Sequence, residues 1–109
     1  MAGITHWKRG WIGDISDEGE VSHWHRGSVG WILADGRVMH RDHGVVGQVF
    51  RDGQVTAEGH GWLGYVTRDG CVMLGTDNLV GSVDAHGDLA YMGGAALMLI
   101  LMPEEDLEE

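Results

Sequence analysis

Cysteine is almost absent: Cys71 is the only one, so no internal disulfide can form. Proline occurs once in 109 residues. Basic side chains are scarce, with 7 Lys and Arg against 17 Asp and Glu and a formal net charge of −10. No basic patch exists, which argues against binding nucleic-acid phosphates or an anionic membrane surface. Long apolar runs are missing too. The longest, Ala95 to Met102, has eight residues, well short of the roughly 20 that a membrane-crossing helix needs. No charged stretch followed by an apolar one marks a secretory leader, so a cytoplasmic location is expected. No G-x-S-x-G is present, and no Cys/His pair stands out.

What is abundant is glycine, with 19 residues. Gly13, Gly30, Gly47, Gly64 and Gly81 stand 17 residues apart, and Gly19, Gly36, Gly53, Gly70 and Gly87 keep the same step. The unit reads G-x-[IVL]-G-x-[IV]-x-x-D-G-x-V, as from Gly27 to Val38 and from Gly44 to Val55. Many glycines with little proline suit short strands joined by tight turns. Asp-Gly between aliphatic residues signals a hairpin. A two-residue turn would put Ile32 and Val38 on opposite faces. A type I turn with Gly36 in a G1 bulge pairs them on one face, and that register is preferred because both columns are aliphatic in every copy. Three columns then form the core: those of Ile12, Ile15 and Val21, each with its equivalents 17 residues on. Asn78 stands in the Gly10 column, which suggests a positive φ there.

The pattern extends past both ends. Ile4 lies 17 residues before Val21, and Leu97 and Ile100 lie 17 after Val80 and Val83. Residues 3–8 read as a second strand and 96–102 as a first strand. Together they would make a sixth hairpin and close the array, which removes edge strands. An open stack of hairpins is the alternative, and a short buried helix is the alternative for 94–102. The expected fold is all-β: about six short hairpins closed around a pseudo-symmetry axis, the last formed by both termini. Residues 1–103 make one domain. Residues 104–109, with five acidic side chains, read as a disordered tail.

The iterated V-G-x-V-x-x-D-G-x-V phrases, followed by Gly93-Gly94-Ala95-Ala96-Leu97-Met98-Leu99, resemble the four-fold β-flower proteins, in which short hairpins radiate around a pseudo-symmetry axis. That resemblance covers about residues 10–102 and implies a fold. The family has no established activity, so it implies no site.

Few residues escape the repeat. Gly59-His60-Gly61-Trp62-Leu63-Gly64 has the form G-x-G-x-x-G, but a dinucleotide site needs a helix to follow and here a strand is expected. Asp17, Asp35, Asp52 and Asp69 sit at turns, where carboxylates bond local amides. Seven histidines are many for this length. His6, His23 and His40 share one column on the core-facing side. His23 and His25, two apart on one strand, would point the same way. His6, His23, His25 and His40 are therefore the candidate metal ligands, for zinc with a position left for water. Against that, histidines near hairpin ends can satisfy loop backbone. His43 and His60 share the polar column of Arg9 and Arg26. The tryptophans could form a stacking surface for a ligand or fill gaps between hairpins. Cys71 stands in a polar column and is expected to be exposed. The functional expectation is a non-catalytic structural or binding module rather than an enzyme. Zinc binding by the histidines and small-ligand binding by the Trp/Tyr surface are the alternatives. Self-association through the apolar 95–102 segment is the expected partner interaction.

Overall fold

The computed structural model describes residues 2–103. The acidic segment 104–109 lies outside the described residues. Ten antiparallel strands close into a barrel. They are β1 (Ala2–His6), β2 (Gly10–Ile15), β3 (Glu20–His23), β4 (Gly27–Ile32), β5 (Arg37–His40), β6 (Gly44–Val49), β7 (Gln54–Ala57), β8 (Gly61–Val66), β9 (Cys71–Leu74) and β10 (Asn78–Val83). The chain then forms an α-helix, α1 (Asp88–Ala96), which passes directly into a π-helical turn (Leu97–Leu101).

The hairpin register is the bulged one. Ile15 pairs with Val21, Ile32 with Val38, Val49 with Val55 and Val66 with Val72. In the second hairpin the Leu33 amide donates to the Arg37 carbonyl and the Gly36 amide to the Leu33 carbonyl, both at 2.9 Å. Gly36 has φ of 94°, a left-handed conformation that side chains resist. The same turn recurs at Gly19, Gly53 and Gly70.

A second bulge explains the repeat length. Ile12 and Ile15 are three apart, so a regular strand would put them on opposite faces. Where β2 meets β1, however, Ile4 pairs with Gly13 and Thr5 with Trp11, leaving Ile12 as an extra residue. Ile12 and Gly13 therefore both turn inward, and the equivalent register shift occurs in all five units. The inward glycine is sterically required. A Cβ on Gly13, Gly30, Gly47 or Gly81 would land on a carbonyl oxygen of the neighbouring strand.

Closure occurs, but with five hairpins and not six. β10 pairs with β1 in the standard register, Ile4 opposite Val83. The Asp84 amide donates to the Gly3 carbonyl at 2.9 Å, the equivalent of the Leu33-to-Arg37 bond with the donor three repeats on and the acceptor two repeats back. The fifth hairpin is thus assembled from the first strand and the last, with no connecting turn. Residues 96–102 form no strand, and the sixth hairpin does not exist. With β1 already on the outer edge of β10, the segment after Gly87 has no strand to pair with. Its composition also favours a helix: residues 88–102 are rich in Leu, Ala and Met and contain one β-branched residue, Ile100. The positive φ expected at Asn78 is also absent. Its column-mates Gly10, Gly27, Gly44 and Gly61 have it, and near the fifth turn Gly75 takes it instead, at 72°.

The helix fills the barrel, as a central helix does in larger β-cans. Gly93 and Gly94 lie in the layer of Val66 and Val83, whose methyl groups a Cβ would strike. Below them, the π turn faces the inward glycines. Cβ atoms built on Gly81, Gly47, Gly30 and Gly13 would come within 2.6, 2.6, 2.8 and 3.1 Å of Leu97, Leu99, Ile100 and Leu101. Leu97, Leu99, Ile100 and Leu101 thus address four of the five hairpins in their order around the ring. Five equal steps around a ring are about 72° each, whereas an α-helix turns about 100° per residue. A π turn winds less per residue and comes nearer the ring's spacing. Residues 95–101 are all buried. The self-association expected from an exposed 95–102 segment loses that basis.

Candidate functional site

The histidine column ends the inner face of the second strands, at the rim opposite the Asp-Gly turns. As the register requires, His23 and His40 are buried. Each uses Nδ1 as a backbone acceptor. His6 accepts from the Lys8 amide (3.1 Å), His23 from the amides of His25 and Arg26 (3.1 and 3.2 Å), and His40 from Asp42 (3.0 Å). The imidazole caps the turn as an Asp or Asn side chain would. His25 lies beyond the end of β3 in the turn, exposed, so His23 and His25 are not an H-x-H strand pair. The structure does not bring His6, His23, His25 and His40 together. Among the described residues no group of three or more His, Cys, Asp or Glu side chains could hold a metal ion. His43 and His60 are exposed, as their column suggests. Gly59 to Gly64 runs into β8, not a helix. Cys71 is exposed on the outer wall.

The tryptophans lie elsewhere. All five are on the outside, with exposures between 40% and 58%. They do not fill gaps between hairpins, because the lumen is packed with aliphatics and the central helix. Two are fixed in place by neighbours. The Trp11 Nε1–H donates to Asp14 Oδ1 at 3.2 Å, and the Trp62 Nε1–H donates to Gln54 Oε1 at 2.6 Å. Both occupy the first outward position of a first strand and lean back over the preceding strand. In that column Ser28 makes the equivalent reach to Glu20.

One stretch of the outer wall is concave. A groove of about 790 Å³ runs over β6, β7 and the start of β8, lined among others by Gln48, Phe50, Asp52, Gln54, Thr56 and Trp62. Alternation builds it. Gln48 and Thr56 are opposite each other across β6 and β7, and Thr56 and Trp62 across β7 and β8, so their side chains share the outer face. Phe50 and Arg51 come from the Asp-Gly turn and close the groove's upper end. Beyond them a second depression of about 570 Å³ continues to Tyr91 and Met92 at the mouth of the barrel, sharing Asp35, Phe50 and Arg51 with the first.

The polar groups of the groove are unequally committed. Asp35 is engaged by Arg37, whose amide (3.2 Å) and Nε (2.9 Å) each donate to one of its oxygens. The amide first, and the guanidinium charge after it, hold the Asp35 carboxyl below the ordinary 3.8. Asp52 gives one oxygen to the Gln54 amide at 3.2 Å. The side chains of Gln48 and Arg51 make no hydrogen bond or ion pair with any described residue. Tryptophan richness is visible in the sequence; the groove is not. Gln48, Phe50 and Gln54 look like ordinary repeat positions until the register places them around Trp62.

Comparison of the chain with protein-family models, with curated proteins and with solved structures gives no match. The site therefore stands on its own geometry.

Proposed function

We propose that this protein is a non-catalytic recognition module that binds a small ligand on the outer wall of its barrel, in the Trp62 groove. One observation carries the reading: strand aliphatics and the helix fill the core, and all five indoles lie about half-exposed on the outer wall. Large exposed aromatics beside a concavity are the usual makings of a binding surface. The groove's size falls within the range of about 300–1,000 Å³ typical of small-ligand sites. Its lining mixes an aromatic wall with polar side chains, of which Gln48 and Arg51 have no partner among the described residues, the pattern that fixes a ligand's orientation.

The test is a screen of a chemically mixed fragment library against isotope-labelled protein, following the five indole N–H signals by NMR. Hits are expected to move the Trp62 signal together with the amides of Gln48, Phe50 and Gln54. Hits that cluster at Trp7, Trp24 or the barrel mouth and leave Trp62 unmoved would refute this assignment.

A further inference from the structure

Resting on that reading, we infer that the Trp62 groove takes a neutral oligosaccharide. The argument begins with the indole. Its Nε1–H is spent on Gln54 at 2.6 Å, so Trp62 has no hydrogen bond left to donate to a ligand. What it offers is a ring face, held in one orientation. Prolyl peptides docking on aromatic grooves bring carbonyl groups as well as apolar rings, and this tryptophan cannot answer a carbonyl. A pyranose brings an apolar C–H face, which suits the electron-rich face of an indole.

The rim supplies what hydroxyl groups need. Because Oε1 of Gln54 accepts from the indole, its NH₂ group is left to donate. Gln48 offers both an acceptor and two donors, Thr56 a hydroxyl, and Asp52 its second oxygen. The lining thus offers both donors and acceptors, which vicinal hydroxyls need. Phe50, 44% exposed, gives a second apolar surface at the upper end.

Charge points to a neutral ligand. Arg37 pairs with Asp35 and offsets its charge, and of the remaining lining charges Arg51 and Asp52 cancel. A nucleotide could also stack on Trp62, but its phosphates would meet a chain of net charge −10.

The repeat provides an internal comparison. Shifting the lining by 17 residues in either direction gives equivalent positions on the same barrel. One step on, Gln48, Gln54 and Trp62 become Tyr65, Cys71 and Leu79. One step back they become Trp31, Arg37 and Val45. At neither neighbour does a tryptophan in the leaning position sit with two amides.

The experiment titrates maltohexaose, cellohexaose and chitohexaose, and separately a proline-rich decapeptide, into isotope-labelled full-length protein. Concentrations reach about 10 mM, enough to register a millimolar Kd. At least one hexaose is expected to shift, saturably, the Trp62 indole signal and the side-chain amides of Gln48 and Gln54. Trp62→Ala should weaken that binding about tenfold or more, and Gln48→Ala about threefold or more. Trp11→Ala, in the same column on another hairpin, should leave it unchanged. If the decapeptide or a library fragment moves Trp62 and no hexaose does, the sugar assignment is wrong while the groove stands. If nothing moves Trp62, both fall. Equal losses from Trp11→Ala and Trp62→Ala would also overturn the proposal.

Discussion

The inner and outer faces of this barrel carry the same repeat under different constraints. Inside, the aliphatic columns hardly vary, and only the rim column changes type, from His6, His23 and His40 to Ala57 and Leu74. Val21, Val38, Val55 and Val72 are identical, and Ile4 completes the ring. Outside, one column reads Asp14, Trp31, Gln48, Tyr65 and Ser82, and another Trp11, Ser28, Val45, Trp62 and Leu79. The inner positions pack against a helix and against the carbonyls of the next strand, so a change of one methyl group is felt. The outer positions meet water and tolerate nearly anything. In a repeat protein of this kind, the residues that keep the period report on packing. Under the proposed function, the outer residues that break it, Gln48, Gln54 and Trp62 among them, are the ones that would meet a ligand.

The largest break in that comparison should come from emptying the lumen. A chain ending at Gly87 would expose the inner faces of all ten strands and lose Leu97, Ile100 and Leu101, each fully buried. At about 1.5–3 kcal/mol for each buried aliphatic, the loss exceeds the usual stability of a domain this size. It should show collapsed NMR dispersion; a sharp native-like spectrum would mean that the barrel stands without its helix.

A smaller effect should follow from a methyl-bearing side chain on each face of one strand. Gly30→Val drives a Cβ into the Met39 carbonyl and towards Ile100 Cδ1. It should cost about 3 kcal/mol or more. Ser28→Val, two residues away on the outer face, should change stability by less than about 0.5 kcal/mol. Denaturant midpoints of the two variants measure the ratio directly, and equal losses would contradict the division between faces.

The smallest expected effect concerns the rim. His23→Ala leaves two turn amides, those of His25 and Arg26, without their acceptor and should cost about 1–2 kcal/mol. His23→Asn restores an acceptor and should recover part of that loss. A chelator should leave the melting temperature unchanged in both the parent and the variants. A fall on chelation would favour a metal role for these histidines over turn capping.

Much of the inner face could be read from the sequence, because packing imposes a period and the period is visible. The Ile32–Val38 register followed from two aliphatic columns, and Ile4 was recognisable as the strand that closes the ring. Residues 96–102 read as a strand, and the alternative of a short buried helix over 94–102 is the one the structure bears out; the two readings compete for a specific reason. The bulge gives each first strand two inward residues three apart, such as Val80 and Val83, and three apart is also the spacing along a helix face. Leu97 and Ile100 satisfy both patterns. Only the near absence of β-branched residues separated them. The groove was less legible still. Gln48, Gln54 and Trp62 lie on three strands, and only the pairing of β6, β7 and β8 brings them together.

The seam between β1 and β10 has a consequence for how the molecule assembles. A helix cannot be threaded into a finished ring, so the ring must close around it. Four hairpins hold their strands by short turns and can form early, since their contacts are local. The fifth joins residues about 80 positions apart and must meet the full entropy of loop closure. The seam pairs Ile4–Val83, Thr5–Ser82 and His6–Gly81 are therefore expected to form last, although β1 can pair with β2 early through the short turn between them. The β1 strand acts as a latch, and its amides are the ones from which slow exchange should first be lost when the barrel opens.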